Sequence, residues 1–130
     1  MSRGTLRSAR LEVADPLTAI EACFENGWTD GLPVIPPTEE RIWAMLDAIG
    51  KQPGDILGEI PERARAITAE KLAINAVMAG CLPEYAPVLL AIVEALCDLA
   101  FSAHGPTAST SGMGILTIVN GPLAAQIGMN

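Results

Sequence analysis

The longest apolar stretch of the chain, residues 68–101, has the spacing of two helices joined at a tight corner. Thr68 is a suitable N-cap for the first helix, while Gly80 and Pro83 predict where it ends and where the next begins. Apolar residues cover the first helix on almost all sides, and the second, over residues 83–99, has few charges. We therefore expect a buried helical hairpin against which the rest of the chain packs.

Two amphipathic helices are predicted before this hairpin. Asp15 and Pro16 begin the first, whose apolar positions lie on one face up to Gly27 (Leu17, Ile20, Cys23 and Phe24). Thr38 begins the second, whose apolar positions repeat at helical spacing up to Gly50 (Ile42, Met45, Leu46 and Ile49). Residues 28–37, between the two helices, contain three prolines that favour a stiff extended backbone, and we name them the strap.

The remaining pattern indicates short strands. Residues 55–60 alternate roughly and predict a short strand, followed by a turn at residues 61–63. Residues 114–119 are the clearest strand candidate, and a glycine turn and a short helix over 123–127 follow them. Strand, turn and helix in this order begin a βαβ unit, whose returning parallel strand we expect from another chain or from a separated second half.

The predicted fold class is therefore α/β: helix-rich, with a buried helical hairpin and an incomplete βαβ unit completed by a partner chain. Residues 1–14 are expected to form a flexible leader, and residues 15–130 a single α/β domain or half-domain.

Charge is unevenly distributed along the sequence. The chain has a net charge of -7, and all eight lysines and arginines lie at or before Lys71. Residues 72–130 contain only acids and one histidine as ionisable side chains besides cysteine and tyrosine (Glu84, Glu94, Asp98 and His104). This half has too little polar surface to face water on all sides, so we expect a second protein chain to cover it. A compact domain with an unusually apolar core is the alternative.

Composition also excludes several classes of function. The negative net charge and the lack of a basic run argue against nucleic acid or an anionic membrane as partner. The longest apolar run, residues 85–93, is too short to span a bilayer, and no signal-peptide core is visible near the N-terminus, so a cytoplasmic location is expected. Three cysteines without a CxxC motif and a single histidine indicate neither a disulfide framework nor a metal site, and the cofactor stays open.

Three side chains are candidates for catalysis. His104 is the only imidazole and lies in a loop of small hydroxyl and glycine residues, where it would serve as a general base or simply bond within the loop. Asp30 in the strap would orient His104, bind substrate, or bond its own turn. Cys81 lies at the corner of the helical hairpin, where it is either a thiol activated by the positive end of the second helix or a structural residue.

Candidate substrate-binding residues supply hydroxyl, amide, aromatic and carboxylate groups near these three. Trp28 and Thr29 lie on the strap, although Trp28 would alternatively pack on the core. The others follow the hairpin corner or occupy the loop and the turn after it (Glu84, Thr107, Ser109, Thr110 and Asn120). No phosphate-binding loop sequence is present, and the glycine pair around Met113 is too weak to indicate a dinucleotide site.

Four segments resemble the N-terminal portion of a group of larger bacterial proteins associated with a UGSC-type cysteine or selenocysteine domain. They are WTDGLPVIPPTEERI, INAVMAGCLPEYAPVLLAIVEAL, HGPTAST and ILTIVNGPLAAQIGMN, and the similarity covers most of residues 16–130. The chain lacks the UGSC tetrad, so thiol or selenol chemistry of that later domain does not carry over. The resemblance implies a subunit, or a proteolytic half, of a bacterial enzyme.

Two hypotheses of function follow. In the first, the chain is the small subunit or cleaved N-terminal half of a heteromeric enzyme that acts on a small molecule, with the active site shared with a partner chain. In the second, it is a non-catalytic scaffold or stabilising subunit. The last residue, Asn130, fits autocatalytic cleavage before a Ser, Thr or Cys of the partner, and two separately translated subunits would explain the same ending, but a split gene is the favoured explanation.

Overall fold

The computed structural model describes residues 3–110 and 112–129, so the predictions that involve Ser111 and Asn130 lie outside the described residues. The helices are α1 Pro16–Glu25, α2 Glu39–Ile49, α3 Ala69–Met78, α4 Ala86–Cys97, α5 His104–Ala108 and α6 Pro122–Gln126, and the strands are β1 Ile56–Ile60 and β2 Arg65–Thr68. Short 3-10 helices cover Pro61–Arg63, Pro83–Tyr85 and Leu99–Phe101. The predicted mixed α/β class is confirmed at this coarse level.

The core lies between α2 and α3 and includes the beginning of α4. Its buried members come mostly from the two helices (Ile42, Met45, Leu46, Ile49, Ala69, Ala73, Ala76, Val77 and Ala86). The small alanines of α3 let α2 approach closely, and the larger side chains of α2 fill the space between the two helices. The four apolar positions predicted for α2 are all buried, which confirms the predicted apolar face of this helix.

The ends of α1 and α2 follow the predicted capping residues. The Asp15 carboxylate accepts hydrogen bonds from the N–H groups of Leu17 and Thr18, and Thr38 Oγ1 accepts one from Arg41 N. Gly50, with φ of 73°, ends α2 in the left-handed conformation that glycine favours. The predicted face of α1 is only partly correct, since Leu17 and Phe24 are exposed. The buried residues of α1 are Ala22 and Cys23.

The observed sheet is an antiparallel hairpin. Ile60 of β1 lies opposite Arg65 of β2, and Ile56 lies opposite Thr68, with an irregularity between Ile56 and Gly58. β1 confirms the short strand expected over residues 55–60. β2 was not predicted, because residues 65–68 show no alternation and are held in a strand by β1 alone.

Both helices predicted for the hairpin form as α3 and α4, but they pack mainly against other elements and not against each other, and neither is buried on nearly all sides. The inner face of α3 is buried, while Lys71 and Asn75 on its outer face are exposed. In α4 only Ala86 and Val93 are buried, so this part of the prediction is wrong for the chain by itself. The physical reason is the small size of the domain, which gives α4 mainly β1 and α2 to pack against. The remaining residues of α4 are therefore half-buried or exposed.

The predicted strand over residues 114–119 does not form. These residues have no regular secondary structure, and Leu116 and Ile118 are 83% and 76% exposed. A strand exists only when its N–H and C=O groups pair with a neighbour, and no residue in the described ranges pairs with this segment. The loop predicted around His104 contains the short helix α5, whereas α6 matches the helix predicted over residues 123–127.

Residues 3–10, within the predicted leader, contact the domain at several points. Arg3 forms an ion pair with Asp47, and its guanidinium lies over the Trp43 ring. Backbone N–H groups donate hydrogen bonds from Gly4 to Gln52 and from Arg7 and Ser8 to Glu70. Arg10 forms an ion pair with Glu39.

Candidate functional site

The strap lies along the end of α3 and is non-helical, as its prolines predict. The N–H of Ile35 donates a hydrogen bond of 3.1 Å to the carbonyl oxygen of Met78, in the last turn of α3. This carbonyl oxygen accepts no hydrogen bond within its own helix, so the strap supplies the missing donor. The bond fixes one predicted site segment, the strap, beside another, the corner that carries Cys81.

The first part of the strap forms its own turn. Thr29 Oγ1 donates to the Leu32 carbonyl oxygen at 2.8 Å, and Leu32 N donates to Asp30 Oδ1 at 3.3 Å. Gly31 has φ of 116°, a conformation that requires glycine at this position. Asp30 therefore bonds within its own turn, which was one of its three predicted roles. Trp28 is 50% exposed, so it does not pack in the core.

A groove of about 340 Å³ lies between α2, the corner after α3 and the strap, and we name it the Cys81 groove. Met45 and Val77, both buried in the core, form its floor, and Ile35 of the strap forms one wall. The corner contributes Cys81 and Leu82, and Arg41 of α2 is exposed at the rim. The groove is thus a mostly apolar space whose lining includes one cysteine and one arginine.

A second cavity, of about 300 Å³, lies between α1 and the first part of the strap. Thr29 and Leu32 of the strap line it together with Phe24, Glu21 and Glu25 of α1. These are mostly exposed side chains, and two of them are acidic. Its walls therefore lack the support from the core that the Cys81 groove has.

The other candidate residues lie on α5 and after it. His104 is the first residue of α5 and is exposed, and Thr107 Oγ1 accepts a hydrogen bond of 3.3 Å from Arg63 Nη2. Thr110 and Asn120 are exposed, Ser109 follows α5 directly, and Glu84 is exposed in the 3-10 helix after the corner. The bond from Arg63 ties α5 to the turn between β1 and β2.

The fold brings together only some of the predicted site residues. Cys81 and the strap meet through Ile35, and Thr29 lies at the second cavity. Across the described ranges no hydrogen bond or ion pair joins His104 to Asp30 or to Cys81. Arg41 was missed as a candidate, although it lies one turn before Met45 in α2 and therefore beside the face that enters the core.

Three ionisable side chains outside the groove have shifted pKa values, and hydrogen bonds from Thr18 and Leu17 lower the pKa of the first, Asp15. Burial raises the pKa of Glu70, but hydrogen bonds from Ser8 and Arg7 and the charge of Lys71 outweigh it, so the net pKa is lowered. Burial raises the pKa of the Cys97 thiol, which lies beside Gly58 of β1. Among residues 3–110 and 112–129, no group of three or more His, Cys, Asp or Glu is placed to hold a metal ion.

No family model, curated protein or solved structure matches this chain. In the part of the chain that the structure describes, no helix combines the length and the apolar character needed to cross a membrane.

Proposed function

We propose that this chain is one subunit of a heteromeric bacterial enzyme that acts on a small molecule in the cytoplasm, with an active site shared with a partner chain. The observation that carries the proposal is the exposed, mostly apolar segment of residues 112–120, which has no regular secondary structure and which we name the open segment. Its backbone pairs with no described residue, and Leu116 and Ile118 expose most of their surface. An exposed apolar stretch of this kind marks a site of interaction with another protein.

The neighbourhood of the open segment strengthens the case for a protein partner. Leu99 and Phe101, in the 3-10 helix that precedes α5 in the sequence, are 74% and 41% exposed, and Met113 within the open segment is 48% exposed. Residues 72–130 contain no lysine or arginine that would solvate this surface. Backbone N–H and C=O groups that pair with no described residue are able to add to the sheet of a partner by strand pairing, and apolar side chains then give the contact its specificity.

The proposed site is divided between the two chains. This chain contributes the Cys81 groove and the strap, with Cys81, Asp30 and His104 as candidate catalytic residues. The candidate substrate-binding residues remain those predicted from the sequence (Trp28, Thr29, Glu84, Thr107, Ser109, Thr110 and Asn120). His104 and the exposed hydroxyl groups that follow it come shortly before the open segment in the sequence. A partner bound to the open segment would therefore add its own side chains to the active site.

The alternative function is a non-catalytic scaffold or stabilising subunit. The dispersal of His104, Asp30 and Cys81, which no described hydrogen bond connects, favours this alternative. Under it, the open segment would attach the chain to an enzyme whose active site lies entirely in the partner.

The partner requirement is tested by copurification from the source bacterium with an affinity-tagged chain. The double variant Leu116→Lys/Ile118→Lys places two charges on the open segment, and Leu17→Lys places a charge on α1, where Leu17 is 73% exposed. We expect the wild type and Leu17→Lys to retain one stoichiometric partner, identified by mass spectrometry, and the double variant to lose it. Retention of the same partner by the double variant would contradict docking through the open segment.

A further inference from the structure

We infer that the Cys81 groove binds a small organic anion, with a carboxylate held by Arg41 and an apolar body lying over Met45 and Val77. The inference deepens the proposed function and rests on it, because it names the ligand class for the part of the site that this chain contributes.

The walls of the groove suit a compact apolar body. Met45 is completely buried and Val77 is 4% exposed, so the floor belongs to the packed core and keeps its shape without a ligand. Ile35 is held over the groove by the hydrogen bond from its N–H to Met78. A volume of about 340 Å³ is at the small end of the range of ligand pockets, which favours a molecule of few atoms.

The charge at the rim of the groove determines which charge its ligand carries. Arg41 is the ionisable cation that lines the groove, and no acidic side chain lines it. Within the described ranges, the ion pairs involve Asp47 and Glu39 with other arginines, and no carboxylate pairs with Arg41. A guanidinium binds a carboxylate through two parallel hydrogen bonds, and a lysine would not reproduce that geometry.

The second cavity differs from the Cys81 groove in the charge of the residues that line it. Glu21 and Glu25 line it, and they would repel an anion of the same size. The two cavities have similar volumes and both include strap residues, so a carboxylate ligand should distinguish them by charge. Binding by apolar contact alone would not make this distinction.

The inference is tested on the isolated chain with hexanoate as the probe and hexanamide as its neutral counterpart. Binding is followed by amide shifts in NMR spectra, which also locate the ligand. We expect hexanoate to shift Gly80, Cys81 and Leu82 and to bind at least tenfold more tightly than hexanamide. Arg41→Gln should weaken hexanoate at least tenfold and leave hexanamide unchanged, since a hydrogen bond to a charged group is lost. Arg65→Gln, on an exposed residue of β2 outside the groove, is the matched control.

Three results would overturn the inference: no shift at the corner, equal binding of the two probes, or hexanoate binding that Arg41→Gln leaves unchanged. The first would show that hexanoate does not occupy the groove, and the last that Arg41 does not hold its carboxylate. These outcomes are independent of the copurification result. A chain that binds hexanoate but no partner refutes the heteromeric function alone, and a chain that keeps its partner but binds no hexanoate refutes the anion site alone.

Discussion

The N–H of Ser8 donates a hydrogen bond of 2.8 Å to Glu70 Oε1, joining residues 62 positions apart in the sequence. Arg7 N donates to both oxygens of the same carboxylate at 3.0 Å. Glu70 is 5% exposed, so these backbone donors replace the water that its charge would otherwise require. The N-terminal segment is therefore attached to α3 by a charge-assisted cluster.

This cluster predicts a specific pH dependence of stability. The folded-state pKa of Glu70 is lowered from its ordinary value of 4.5, so the ionised form binds the segment more strongly than the protonated form. The contribution of Glu70 is fully present above pH 4.5 and is lost as the pH falls through the lower folded-state pKa. Glu70→Gln should therefore lower the free energy of unfolding by about 1–2 kcal/mol at neutral pH, and the difference from wild type should shrink in acid.

Urea unfolding of both proteins between neutral pH and acid, followed by circular dichroism, measures this difference. Glu62→Gln changes an exposed acid in the turn between β1 and β2 and is the control. A difference that stays constant with pH would show that Glu70 acts through packing and not through its charge.

A second prediction concerns the contact between β1 and α4. A Cβ atom at Gly58 would lie 2.5 Å from Cys97 Sγ and 2.8 Å from Cys97 Cβ, too close for any real pair of atoms. Gly58→Ala should therefore destabilise the fold by about 1–3 kcal/mol. Cys97→Ala removes the sulfur but keeps its Cβ, so the double variant should recover part of the loss.

Thermal and urea unfolding of the two single variants and the double variant give the coupling energy. Gly54→Ala is the matched control, because its added Cβ meets nothing within 4 Å and Gly54 has no positive φ. If Gly58→Ala were as harmless as Gly54→Ala, α4 would not rest against β1 as described.

The three free cysteines should react with iodoacetamide at different rates. Cys23 is 3% exposed and should react slowest, and burial raises the pKa of Cys97, which leaves less of the reactive thiolate. Cys81 is half-buried and opens onto the groove, so it should react first. Peptide mass spectrometry of a time course gives the order, and hexanoate should slow only Cys81. Faster labelling of Cys23 would show that α1 leaves its position readily.

Substitutions at the candidate catalytic residues separate the two proposed functions. In the assembly reconstituted with its partner, His104→Ala and Asp30→Ala should abolish turnover of the partner's substrate while the complex keeps its size in gel filtration. Gln126→Ala, at the end of α6, is the control for an unrelated polar change. Normal turnover in both variants would favour the scaffold function, since neither side chain would then take part in the chemistry.

Local signals predicted α2 almost completely. Thr38, the repeat of apolar residues and Gly50 all indicate the same bounds, and α2 also places its apolar face on the core. Residues 114–119 have equally clear β propensity, but a strand depends on a neighbour that local sequence does not supply. The attachment of Ser8 to Glu70 and the position of Arg41 beside Cys81 were missed for the same reason, because both arise from packing between distant segments.

Sedimentation velocity of the isolated chain over a wide range of concentrations tests most directly whether the open segment needs a covering surface. The wild type and Leu17→Lys should self-associate as concentration rises, because the apolar surface around Leu116 and Ile118 has no partner in this chain. Leu116→Lys/Ile118→Lys should remain monomeric. A wild-type chain that stays monomeric at high concentration and melts cooperatively would contradict the requirement for a second polypeptide.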